Sequence, residues 1–293
     1  MYELVKVTDR CYYIQSPSKI GVIKTSESEV VLIDSGNNKD AAKRVLKTLN
    51  TEGLSVKAIF ATHSHADHIG GNRYIAEQTG CKIYARGIEA DFTNHPILEP
   101  AFLYGAKPPR DLLHKFLLAE ESTSLPLTEE VLPEGVSIID LSGHFFDMVG
   151  FAVSDGTVFI ADSLSSVETL DKYGVGYIYD IEKYLAVLEE LKTMDAALFV
   201  PSHAAPTTDI KELADYNINK VLQVAKDILE ETAEPTDFEE LLKRLFDKYG
   251  LTLSFEQYVL VGSTVKSYLS WLRDSGRVEP IFADNRLLWK RIQ

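Results

Sequence analysis

The sequence predicts an α/β protein: short strands and amphipathic helices form one large unit to about residue 208, and a small, mostly helical unit follows. Three observations lead to that expectation. Short runs rich in Val and Ile recur between turn residues, as strands do. Stretches of helical length with one apolar face separate several of these runs. Beyond Thr208 the pattern changes to three long helical segments in succession.

The opening alternates in a β manner. Leu4-Val5-Lys6-Val7, Cys11-Tyr12-Tyr13-Ile14 and Ile20-Gly21-Val22-Ile23 read as strands broken by Thr8-Asp9-Arg10 and Ser16-Pro17-Ser18. Glu29-Val30-Val31-Leu32-Ile33 is a more continuous strand, ended by Asp34-Ser35-Gly36. Asn38 reads as the cap of a helix through Leu49. The next strand, Val56-Lys57-Ala58-Ile59-Phe60, runs into Thr62-His63-Ser64-His65-Ala66-Asp67-His68-Ile69-Gly70-Gly71-Asn72 and a helix that stops near Gly80. Cys81-Lys82-Ile83-Tyr84 returns as a strand.

Residues 86–134 break this rhythm, because prolines at 96, 100, 108, 109, 126 and 133 punctuate aromatic and apolar clusters. A long irregular insertion of this kind reads as a lid or binding wall, or as a surface excursion with its own small core. His95 and His114 within it have no chelating neighbour and are read as non-ligands.

Regularity resumes at the strand Val136-Ser137-Ile138-Ile139-Asp140-Leu141, which precedes Ser142-Gly143-His144. Two strands, 148–153 and 157–161, form a hairpin across Ser154-Asp155-Gly156, where Asp-Gly is a strong turn signal. The second ends at Asp162-Ser163. A helix from about Asp180 to Lys192 leads to Ala196-Ala197-Leu198-Phe199-Val200, which stops at Pro201-Ser202-His203. In the last part, 209–232, 238–249 and 254–272 read as helices, the third interrupted near Val261-Gly262. Two β-like segments around Ala283-Asp284-Asn285 close the chain, an order that suggests a winged-helix arrangement over 209–293.

The chemistry concentrates at strand ends. His63 and His65 are two apart, so an extended backbone projects them the same way. Imidazole suits zinc and iron and carboxylate suits harder cations, so the cluster reads as a site for one or two divalent metals. Asp34, His144, Asp162 and His203 each stand where an apolar run gives way to polar or turn residues. Strand ends gathered at one edge of a sheet sandwich would bring these side chains together.

Composition narrows the partners. The formal net charge of −14 opposes binding to a polyanion. Residues 209–293 hold 12 Lys/Arg against 15 Asp/Glu with no basic stripe, which favours a structural role or homo-oligomer contact over nucleic-acid binding. No apolar stretch is long enough to cross a bilayer. The opening residues lack an export pattern and the two cysteines, Cys11 and Cys81, make no framework, so a cytoplasmic location is expected.

The run from Thr62 to Asn72 resembles the signature of the metallo-β-lactamase superfamily, and Asp34, His144, Asp162 and His203 follow in that family's order. The resemblance covers residues 1–208 and implies a four-layered αβ/βα sandwich with two metal ions at one edge of the paired sheets. It implies that His63, His65 and His144 hold one ion. Asp67, His68 and His203 would hold the second, with Asp162 bridging. Asp34 would orient the ligands without binding metal. Zinc is the first expectation, with iron or manganese as alternatives. The stretch 264–272, Gly276-Arg277-Val278 and Leu288-Trp289 resemble the winged-helix appendage of some hydrolases of this superfamily.

Two ions sharing a water would lower its pKa, and Asp67 could orient that water or accept its proton. The expected activity is hydrolysis of a small ester-like substrate, a thioester first, in the style of the glyoxalase II group. Lactonase, phosphodiesterase or RNA endonuclease, and non-catalytic metal-binding scaffold are the alternatives. The sequence departs from common relatives at Ala161 and Ala204, where glycine is frequent, and at Phe145-Phe146-Asp147, where small or hydroxyl residues are commoner.

Overall fold

The computed structural model describes residues 2–292. The chain opens with four antiparallel strands, β1 (Glu3–Lys6), β2 (Cys11–Gln15), β3 (Ile20–Lys24) and β4 (Glu29–Ile33). Helix α1 (Lys39–Thr51) follows, and Asn38 caps it by accepting from the backbone N–H of Asp40 and Ala41. Strand β5 (Ser55–Phe60) then lies parallel to β4. After the short α2 (Ala66–Ile69) and α3 (Asn72–Thr79), β6 (Lys82–Ala85) pairs parallel to β5. The glycines between α2 and α3 are required by crowding: a Cβ on Gly70 would fall 2.0 Å from the Asn37 carbonyl oxygen, and one on Gly71 2.3 Å from that of Ser35.

The stretch 86–134 is more regular than its prolines suggest. It forms α4 (Gly87–Asn94), α5 (Leu98–Tyr104) and β7 (Ser124–Pro126), the last pairing parallel with β6 as the edge of the seven-stranded sheet. Pro100 misleads the reading because it sits in the first turn of α5, where proline is tolerated.

A second sheet of four strands holds β8 (Val136–Asp140), β9 (Val149–Val153), β10 (Thr157–Ala161) and, beyond α6 (Val167–Tyr173) and α7 (Ile181–Thr193), β11 (Leu198–Pro201). Its order is β11-β10-β9-β8, with only β10 and β11 parallel. Helix α6, seven residues long and outside the helices the sequence pattern predicts, is capped by Ser166, which accepts from the Thr169 N–H.

Alternation along the strands sets the layers. Val31 and Ile33 of β4 face the space between the sheets with Phe60, Phe151 and Phe159, whereas Val30 and Leu32 face α1 and α3 with Val45, Leu49 and Ile75. On the second sheet, Val158 and Ile160 face outward onto α7 with Leu188 and Leu191. Helix, sheet, sheet and helix thus make four layers, as the α/β expectation requires.

The remaining elements are α8 (Lys211–Glu231), β12 (Thr236–Asp237), α9 (Phe238–Tyr249), α10 (Phe255–Asp274), β13 (Val278–Ala283) and β14 (Arg286–Arg291), the strands forming a sheet in the order β12-β14-β13. Leu241, Leu245, Val265 and Leu269 join the outer core of the second sheet, so these helices share apolar burial with α7 and α8. No break occurs at Val261-Gly262. Phe238 and Leu242 pack 3.7 Å from where a Gly262 Cβ would stand, and that packing outweighs the roughly 1 kcal/mol that glycine costs a helix. Among the described residues no helix is long and apolar enough to cross a membrane.

Candidate metal centre

The topology gathers one set of strand ends. Parallel β4 and β5 end at Asp34 and ahead of His63, and parallel β10 and β11 end at Asp162 and ahead of His203. Strand β8 is antiparallel to β9, which is antiparallel to β10, so the loop carrying His144 leaves at that same edge.

Among the described residues three overlapping groups result: His63, His65 and His144; His63, His68 and Asp162; and Asp67, His68 and His203. Within each, one donor atom per residue lies within 4.8 Å of the others. His65 Nδ1 is 3.1 Å from His63 Nε2 and 3.2 Å from His144 Nε2. His203 Nε2 stands 3.2 Å from both Asp67 Oδ2 and Asp162 Oδ2. His114 lies elsewhere, 2.8 Å from Glu256, and His95 is in none of the groups.

The outer ring nitrogens are tied down behind these contacts. Asp34 accepts from the Thr62 backbone N–H and Oγ1, both at 2.8 Å, and stands 2.8 Å from His68 Nδ1. Thr62 Oγ1 is also 3.0 Å from His63 Nδ1. With Nδ1 engaged, Nε2 of His63 and of His68 faces into the cluster. Asp34 reaches this position with φ +67°, a left-handed conformation that Asp tolerates. On the other side, buried Lys19 donates from Nζ to the Ala204 carbonyl (2.6 Å) and from its backbone N–H to the Ser202 carbonyl (3.1 Å), bracketing His203.

Electrostatics divides the rings. Burial holds His63 well below the ordinary imidazole value and His65 down to about 3; the other histidines press the same way. Burial lowers His144 as well. Burial would also lower His68 and His203, but Asp162 leads the carboxylates that overrule it, raising His68 well above the usual range and His203 to about 10. Burial alone would raise Asp67 and Asp162, yet His68 and His203 hold both well below the carboxylate range. Three neutral imidazoles therefore offer lone pairs beside two carboxylates that demand positive charge.

A divalent cation fits this set. His68 Nε2 and Asp162 Oδ1 are buried and approach to 3.3 Å, yet neither makes a hydrogen bond. Buried polar atoms are normally satisfied, so a missing partner between them is the economical explanation. The separations of 3.1 and 3.2 Å between ring nitrogens are also close to the roughly 3.4 Å expected of tetrahedral neighbours around zinc.

Sequence reasoning missed several groups here. Glu89 on α4 is fully buried and accepts from Ser64 N–H (2.9 Å), Ser64 Oγ (2.6 Å) and Asp147 N–H (2.9 Å). Asp147 answers by accepting from the Ile88 N–H at 2.9 Å. This lattice ties the His63–His65 segment to the loop that carries His144. Burial pushes the Glu89 carboxyl up to about 7. Glu99 on α5 is also buried, and burial, with Asp67 and Glu89 nearby, pushes it well above the usual range. Phe145 and Tyr177 stand 4.4 and 5.2 Å from the His65 ring, continuing into a wall with Phe92, Phe102, Phe146 and Tyr179. No spacing rule announces a lone Glu on an amphipathic helix. Only the hydroxyl-bearing Ser64 between two histidines hinted at a buried acceptor.

Ala161 presents Asp162 with φ +47°. A side chain there costs about 1–2 kcal/mol, whereas its buried methyl contributes about 0.8 kcal/mol. Ala161→Gly is therefore expected to leave stability unchanged or raise it by up to about 1 kcal/mol, read from the urea midpoint. A loss larger than that would show that methyl packing decides at this position.

A family model described as the metallo-beta-lactamase superfamily matches residues 14–203. The chain is 28% identical over 195 residues to a "Hydroxyacylglutathione hydrolase 2" of Vibrio vulnificus (strain YJ016), covering 64% of each chain. It is 26% identical over 215 residues to a "Beta-lactamase-like protein 2 homolog" of Drosophila melanogaster, covering 70% of this chain and 65% of that one. The chain thus spans just under two thirds of the length of these curated relatives. Its fold is like that of a beta-lactamase domain protein from Burkholderia ambifaria (TM-score 0.73, 16% identity, 99% and 93% coverage). A metallo-beta-lactamase family protein from Thermus thermophilus is similar (TM-score 0.72, 18% identity, 99% and 97% coverage). With its ordered His/Asp strand ends and its four layers, this chain belongs to the metallo-β-lactamase superfamily.

Proposed function

We propose that the protein is a metal-dependent hydrolase of a small ester-like substrate, a thioester foremost. The convergence of seven His and Asp side chains around two orphaned buried atoms, His68 Nε2 and Asp162 Oδ1, carries this reading. His63, His65 and His144 would hold one cation and Asp67, His68 and His203 another, with Asp162 between them. Such cations, when bound, lower the pKa of water and polarise an ester carbonyl.

The protein's own groups supply the rest. Asp67 has 35% of its side chain exposed against 10% for Asp162, so it is the carboxylate placed to orient an attacking water and take up its proton. Ser18 Oγ, donating to Asp67 Oδ2 at 2.5 Å, fixes the carboxylate's rotation. Phe102 and Tyr177, backed by the buried Phe145, would receive an apolar acyl or leaving group and exclude water from one side. The hydroxyacylglutathione hydrolases among the relatives support a thioester over the lactone and phosphodiester alternatives. We read the three-stranded sheet with α9 and α10 as a winged-helix-like appendage with a structural role.

Two measurements test the reading. Elemental analysis after reconstitution with zinc, iron or manganese should return about two equivalents per chain; one or none would end the dinuclear proposal. A panel of thioesters, lactones, a bis-aryl phosphodiester and labelled single-stranded RNA should show thioester turnover as the fastest. A two-metal protein that cleaved only the phosphodiester or RNA would overturn the substrate assignment.

A further inference from the structure

The space between the two sheets opens into a cleft at the end opposite the metal centre. Lys57 lies near the start of β5 and His63 just past its end, six residues away, or roughly 20 Å of extended chain. There the cleft widens into a cavity of about 1020 Å3, at the upper end of the range for small-molecule sites.

Strand register explains what rims it. Lys24 on β3 pairs with Val30 on β4, Val30 pairs with Val56 on β5, and Ala58 of β5 pairs with Lys82 on β6. Lys57 is the extra residue at the irregularity in the β4–β5 pairing. Lys57 and Lys82 thus stand on neighbouring strands, Lys24 shares the helix-facing side of Val30, and all three line the cavity at this end of the sheet. Arg10 joins them: its backbone carbonyl accepts from the Lys24 N–H at 2.9 Å, and its guanidinium donates to the Glu134 carbonyl across the mouth.

The charge here runs against the whole molecule. In a chain of net charge −14, the lining holds four cations against a single acid, Glu134. Lys57 has Glu29 at 3.4 Å, a pair exposed on both sides and of little energetic weight. Arg10, Lys24 and Lys82 form no ion pair among the described residues. Below the rim the half-buried Tyr84 and Leu132 lie over the buried Val31 and Phe60, with the Tyr84 ring edge-on to Phe60 at 5.7 Å.

We propose that this cleft binds an anionic amphiphile, a carboxylate head on an unbranched acyl chain. The head lies between Lys57 and Lys82, which stand on neighbouring strands, and the chain runs inward over Tyr84 and Leu132. An anion with a polar body would bury hydrogen-bonding groups against that floor without partners. A neutral lipid would leave the cations idle. The site needs no metal and does not depend on the hydrolase reading.

Calorimetric titration of the full chain with decanoate tests this, with 1-decanol and acetate as the chargeless and chainless comparisons. Expected is saturable one-to-one decanoate binding, at least tenfold tighter than 1-decanol, with no measurable acetate binding. The double variant Lys57→Glu/Lys82→Glu should weaken decanoate at least tenfold, and Lys57→Gln/Lys82→Gln by a smaller factor. His65→Ala should bind as the parent does. The proposal fails if decanoate does not saturate, if both lysine variants bind unchanged, or if inorganic phosphate displaces decanoate at equal concentration. Loss of binding in His65→Ala alone would move the ligand to the metal centre and would equally defeat it.

Discussion

Replacing His65 by alanine is expected to lower turnover by at least roughly 10³-fold, about 4 kcal/mol of transition-state stabilisation, while the protein stays folded. The site's geometry gives the reason. His65 Nδ1 faces both His63 Nε2 and His144 Nε2, so its loss opens one corner of the three-imidazole group and leaves the second group untouched. Burial already keeps His65 neutral at physiological pH, so no buried charge is left without a partner when the ring goes. Metal content should fall from about two equivalents towards one, and circular dichroism should show the parent's folded spectrum, with the melting profiles compared on the metal-free proteins. Parent-like turnover of a thioester by this variant would sink the proposed chemistry.

The second large effect is expected at Glu89, which lies outside all three candidate metal groups. Glu89→Ala strands three donors, the buried Ser64 N–H and Ser64 Oγ and the part-buried Asp147 N–H. At about 1–3 kcal/mol for each unsatisfied group, the loss should be about 3 kcal/mol or more. Because the same bonds hold the His63–His65 segment against the His144 loop, zinc affinity measured by chelator competition should also drop, by about 10–100-fold. Glu89→Gln keeps one acceptor oxygen but turns an amide N–H₂ toward other donors, so an intermediate loss is expected. Unchanged zinc affinity in Glu89→Ala, whatever its melting temperature, would show that the lattice stabilises the fold without positioning the ligands.

These two positions mark how far the sequence could be read. His65 is visible because the His-x-His-x-Asp-His run is local. Its spacing on an extended backbone is a property of neighbouring residues, as is the switch from an apolar run to polar residues that marks Asp34, Asp162 and His203. Glu89 is invisible because its partners lie 25 and 58 residues away, and its helix segment has an ordinary composition. The stretch 86–134 shows the same limit. Its prolines suggested irregularity, yet β7 finds an open edge on β6 and α4 carries the acid that locks the histidine segment. At Gly262 a local helix-breaking signal lost to packing from α9.

The sequence by itself determined the strand and helix periods, the layers those periods can bury, and the residue types able to hold a cation. All of these follow from side-chain chemistry within a few positions along the chain. Only the tertiary structure decided that seven such side chains face one another, that a buried glutamate braces them, and that lysines from three strands crowd the far mouth of the cleft. Strand order and register bring those groups together, and both are set by contacts between distant segments that no local pattern encodes.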